Sequence, residues 1–139
     1  MYKNDAFNLG ESFHRVACSI FPEDLFDESD DGHWFVPYIV NLSFACELYL
    51  KSLFSDGESE TRGHCLDVLY NQLSDEQKNL ILNRPEFKGD KDFISNITRY
   101  NRMFEKWRYC FEAGKSREVD IVFLENLAIV LHDIAKDEL

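Results

Sequence analysis

Apolar side chains recur along this chain at the three-and-four spacing of α-helices, and the every-second spacing of strands is absent. Residues 4–20 read as a first helix with Phe7, Phe13, Val16, Ala17 and Ile20 on its inner face. From Trp34 to Phe54 apolar residues occupy nearly every face, as in a helix enclosed by others. The period restarts at His64 and runs to Leu73 through Leu66, Leu69 and Tyr70. Ser74 and Gln77 have the spacing of a capping box, which opens a short helix from Asp75 to Asn83. Arg84-Pro85 and Lys88-Gly89-Asp90 break the chain. The regular series Phe93, Ile97, Tyr100, Phe104, Trp107, Phe111 then predicts one helix over residues 92–112, closed by Gly114. A last helix, about Val119 to Lys136, carries Val122, Leu127, Val130, Leu131 and Ile134. The expected fold is all-α: a single domain over residues 1–139, a bundle of four main helices with one or two short ones.

Composition narrows the setting. The chain has 139 residues, 45% of them hydrophobic, with only six glycines and three prolines, which argues against a turn-dense β fold. The net charge is −11, but residues 84–117 hold nine Lys/Arg against five Asp/Glu, so one basic segment sits on an otherwise acidic chain. An acidic surface repels nucleic acid, while a basic helix can still offer it a cationic face. No Cys-x-x-Cys pair occurs; Cys18, Cys46 and Cys110 lie in apolar stretches and read as small buried hydrophobes, a usage suited to the cytoplasm. The opening residues lack a signal-peptide h-region, and the most apolar run contains Pro37, Asn41, Glu47 and Lys51, so no membrane span is expected.

Candidate chemistry is sparse. Glu47 and Lys51 are the only charged residues in the 34–54 run and stand four apart, so they can pair, either along a solvent-facing stripe or within a polar site inside the bundle. Arg108 and Glu112 have the same spacing, beside the stripe that carries Trp107 and Phe111, and an interhelical bridge from Arg108 to Glu47 would satisfy both. His64 follows Gly63 at the start of a helix. The acidic run Asp27 to Gly32 resembles a calcium loop, but its twelfth position is Tyr38 where a bidentate Glu is required. His132-Asp133 lacks companion metal ligands. No zinc spacing, phosphate-cradling glycine loop or nucleophile elbow is present, and neither a metal nor a cofactor is expected.

Three motifs in order resemble the prokaryotic branch of the HEPN superfamily: Ala45-Cys46-Glu47-Leu48-Tyr49-Leu50-Lys51, then Gly63-His64-x-Leu66, then Trp107-Arg108-Tyr109-x-x-Glu112. The resemblance implies a helical, dimerising domain whose binding residues are Glu47, Lys51, His64, Arg108, Tyr109 and Glu112. It also implies a setting such as toxin–antitoxin or phage defence. Ribonuclease members carry Arg-x(4–6)-His on one helix; here neither Arg99 nor Arg102, nor any other arginine, is followed by such a histidine. The leading expectation is therefore a homodimeric module that binds a nucleotide, RNA or a protein partner without chemistry. The alternatives are a metal-independent ribonuclease with a rearranged site, using His64 as general acid or base with Arg108 and Lys51 as charge stabilisers, and a structural or interaction domain whose polar cluster takes no ligand.

Overall fold

The computed structural model describes residues 2–20, 34–54, 63–103, 105 and 121–139. Within them the chain is all-α, without strands: α1 (Lys3–Cys18), α2 (Phe35–Ser52), α3 (Leu66–Asn71), α4 (Asp75–Leu82), α5 (Phe93–Arg99) and α6 (Ile121–Asp137). Helix α2 is the central element. It buries Leu42, Ala45, Cys46, Tyr49 and Leu50 at 4% exposure or less, with α1 and α6 packed against it and α3 across its C-terminal half. Pro37 sits in its first turn, where a backbone N–H would lack an intrahelical partner anyway, and Asn41 Nδ2 donates to the Pro37 carbonyl at 2.6 Å.

Gly10 lets α1 come close. A Cβ there would stand 3.0 Å from two carbons of the Tyr49 ring and 3.4 Å from the Ala45 carbonyl, so a side chain would hold the two helices apart. The capping box of α4 forms as expected: Gln77 N donates to Ser74 Oγ and Ser74 N to Gln77 Oε1, both at 3.1 Å. The Gln77 amide then reaches the Leu53 carbonyl at 2.9 Å and Glu138 at 3.1 Å, tying α4 to the ends of α2 and α6. Tyr70, Phe87, Phe93, Tyr100 and Phe123 pack ring on ring at 5.0–6.2 Å, joining α3, α5 and α6 in the same core.

Several expectations are corrected. The helix read over 92–112 does not run on unbroken: α5 ends at Arg99, and Arg102 takes a left-handed φ of 51°. The Asn101 side chain holds this turn by bonding Asp67 rather than its own helix; Asp67 N donates to Asn101 Oδ1 at 3.1 Å, and Asn101 Nδ2 to Asp67 Oδ1 at 2.7 Å. The turn preserves the apolar period, since Phe93, Ile97 and Tyr100 are all buried, so the spacing alone could not reveal it. His64 stands before α3 rather than in it. Cys18, Val16 and Val122 are exposed instead of buried, because each lies near a helix end, one step off the stripe that faces α2. The calcium-like run, Cys110 and the motif around Trp107 lie outside the described residues.

Candidate functional site

The pocket is built on one polar stripe of an otherwise buried helix. Ser43, Glu47 and Lys51 are four apart on α2, so they line up along one face a turn at a time. Lys51 Nζ donates to Glu47 Oε2 at 3.0 Å, and His64 Nδ1 meets the same oxygen at 3.0 Å and Lys51 Nζ at 3.2 Å. The Glu47 and Lys51 side chains are only 15% and 12% exposed, while His64 is 66% exposed. The pair thus belongs to a largely covered site rather than to a solvent-facing stripe. A carboxylate and an ammonium removed this far from water need each other, and losing either partner leaves the other poorly solvated.

His64 can pair in two ways. If Nδ1 carries the proton it donates to Glu47, and Nε2 offers a lone pair; if Nδ1 accepts from Lys51, Nε2 offers an N–H. The outer edge of the imidazole can therefore accept or donate without the ring moving.

Next to this triad lies an open cavity of about 240 Å³. Val40, Phe44, Leu66, Tyr100 and Met103 form its apolar walls, and Ser43, Glu47, His64, Arg102 and Glu105 its polar groups. The Ser43 hydroxyl is buried, in a residue 6% exposed, and it has no hydrogen-bond partner among the described residues. A buried hydroxyl left unpaired costs about 1–3 kcal/mol, so its place on a cavity wall is informative.

Arg102 is brought to the rim by the left-handed turn that Asp67 and Asn101 hold. For a side chain of this size that conformation is strained, and strain of this kind tends to persist where a site uses it. Its guanidinium lies 3.5 Å from Glu105 Oε1 in an exposed pair. Contact with the Cys65 sulfur, then Glu105, pushes its pKa above the ordinary arginine range. Sequence reading found Glu47, Lys51 and His64 and missed Ser43, Arg102 and Glu105. A buried serine one turn from Glu47 was the available signal for the first; nothing local marked the other two. Arg108, Tyr109 and Glu112 lie outside the described residues.

A second polar assembly was missed altogether. On the opposite side of α2, Tyr49 donates to Glu11 Oε1 at 2.5 Å, so the 3.1 Å contact between His14 Nδ1 and the phenol oxygen has the imidazole as donor. His132 Nε2 lies 3.2 Å from Glu11 and its Nδ1 3.0 Å from Asp133, and Arg84 bonds Asp133 at 3.1 Å and Glu86 at 3.0 Å. His132-Asp133, isolated in sequence, is a link in this chain. Burial holds the His14 pKa below its ordinary value; the bond from His132, then Arg84, holds Asp133 below the usual carboxylate range. Burial and the bond to Glu11 push the Tyr49 phenol far up.

Among the described residues no group of three or more His, Cys, Asp or Glu side chains is placed to hold a metal ion, and no helix is long and apolar enough to cross a membrane. Comparison with family models, curated proteins and solved structures finds no match to this chain.

Proposed function

We propose that this chain is a binding module for a nucleotide unit, free or within RNA, held in the cavity beside Glu47, Lys51 and His64. The observation that carries this reading is the cavity itself: apolar and ring-lined inside, with the unpaired Ser43 hydroxyl in its wall and His64 and Arg102 exposed at its rim. A base has the faces and edge that such an interior accommodates, and a phosphate has the charge that an exposed guanidinium accepts. The ordered motifs that resemble HEPN domains support the same reading and extend it to a cytoplasmic homodimer in a prokaryotic defence or toxin–antitoxin setting.

The test is a titration of the purified chain, in EDTA, with fluorescently labelled nucleoside monophosphates and a short single-stranded RNA, beside Lys51→Met, His64→Ala and Arg108→Ala. Saturable binding, weakened by His64→Ala without loss of the folded state, is expected; Lys51→Met should lower stability as well, because it leaves the Glu47 carboxylate without its ammonium, and Arg108→Ala should alter binding or stability only. Folded wild-type protein that binds neither nucleotide nor RNA overturns the proposal.

The two-way pairing of His64 favours a second reading, a metal-independent ribonuclease in which that imidazole transfers the proton. RNA cut in EDTA by the wild type but not by His64→Ala would establish it. Intact RNA with binding retained would leave the module non-catalytic.

A further inference from the structure

Resting on the nucleotide reading, the geometry points to guanine as the base this cavity selects, read by Glu47 and Ser43. Glu47 Oε2 is occupied, since it accepts from Lys51 and faces His64, whereas Oε1 has no partner among the described residues. One carboxylate oxygen with its lone pairs free asks for donors. Ser43 stands one turn away on the same face, about 6 Å along the helix axis, and its unpaired hydroxyl can donate to a neighbouring position of the same ring edge.

The four bases meet this pair differently. Guanine presents two adjacent donors on its Watson–Crick edge, N1–H and the 2-amino group, followed by the O6 acceptor. Adenine and cytosine each offer one exocyclic amine next to a ring-nitrogen acceptor. Uracil offers one N–H between two carbonyls, and those carbonyls would face the carboxylate with like polarity. Guanine alone places two donors toward Glu47 and an acceptor toward Ser43. The depth of the two groups fits this orientation, because Ser43 is nearly enclosed while Glu47 is slightly more open. At about 240 Å³ the cavity falls below the roughly 300–1,000 Å³ of sites that enclose drug-sized ligands. It holds the ring and leaves ribose and phosphate at the rim, where Arg102 and His64 stand.

Calorimetric titration with GMP, IMP, AMP, CMP and UMP tests this without altering the protein. IMP lacks only the 2-amino group, and a hydrogen bond to a charged acceptor carries enough energy that GMP should bind roughly ten- to hundredfold tighter than IMP. Glu47→Gln should shrink the GMP/IMP ratio to within about threefold, while Ser43→Ala weakens both ligands alike because both carry O6. A single-stranded RNA with one central guanosine, compared with its adenosine counterpart, separates free nucleotide from RNA as the source of the base. Binding of all five nucleotides with equal affinity, or a GMP/IMP preference that survives Glu47→Gln, overturns guanine selection and leaves nucleotide binding standing. Absence of binding by every nucleotide and both RNAs overturns selection and the nucleotide reading together.

Discussion

Glu47 and Tyr49 stand two residues apart on α2, and the polar groups around them are satisfied to different degrees. Tyr49 is fully buried, and its hydroxyl joins Glu11, His14, His132, Asp133 and Arg84 in one chain of hydrogen bonds and an ion-pair contact between Glu11 and His132. Glu47 has one oxygen engaged and one unpartnered among the described residues, beside a cavity whose wall holds an unpaired hydroxyl. A network whose members satisfy one another holds helices in one register even where, as at Arg84 and Asp133, it reaches the surface. On the proposed nucleotide reading, the open groups beside Glu47 are the ones a ligand would meet. An open cavity of about 220 Å³ also lies against Glu11, His14 and His132, so the two regions differ in how their polar groups are paired and not in having a cavity.

Replacing Tyr49, the hub of the fully paired network, should have the largest effect on stability. Tyr49→Phe removes the hydroxyl shared by Glu11 and His14 and should destabilise the chain by about 1–3 kcal/mol. Nucleotide affinity should stay unchanged; denaturant unfolding beside a binding titration reads both. A loss of affinity as large as the loss of stability would show that the two regions are not separate.

Acid should act on the same side of the helix. His14 is held below its ordinary value of 6.5, so the folded state favours its neutral form and the unfolded chain takes up the proton first. Its contribution is complete above pH 6.5 and is lost as pH falls from there through the lower folded value. Glu11 beside the ring opposes this shift and His132 adds to it. Asp133 contributes above its ordinary 3.8, a contribution lost as pH drops through its depressed folded value. Thermal melts from pH 7.5 to 5 should fall for the wild type and flatten for His14→Gln; equal slopes would remove His14 as the cause.

The smallest expected effect has the opposite sign. Ser43→Ala removes a buried hydroxyl without a partner and places a better helix former in α2, so stability should rise by about 0.5 kcal/mol. Such a gain, together with weakened nucleotide binding, would mark Ser43 as kept for a ligand and not for the fold. A Ser43→Ala variant less stable than the wild type would mean that the hydroxyl serves the fold.

Long periodicity marked α2 and a chemical cap marked α4, while the equally long series over 92–112 hid a break. The α2 run and the Ser74–Gln77 box appear in the structure as read, because both depend on contacts within a few residues. The Glu47–Lys51 pair was visible as the only charges on a buried helix, and His64 as a histidine just after a glycine. The turn at Arg102 was not, since Phe93, Ile97 and Tyr100 keep their period up to the break and the groups that hold it come from Asp67, more than thirty residues away.

The order of residues alone therefore specifies an all-α fold around residues 34–54, the local caps, and one Glu and Lys spaced to pair on an otherwise apolar helix, whereas packing decided that the pair is covered. Tertiary structure alone decided that His64 meets that pair, that Ser43 and Arg102 share a cavity with it, and that Glu11, Tyr49, His132 and Arg84 form one chain. The physical reason is range. Helical period and capping are set by neighbours three or four residues apart, whereas a hydrogen bond between side chains thirty-five to fifty positions apart exists only once packing has brought their helices together.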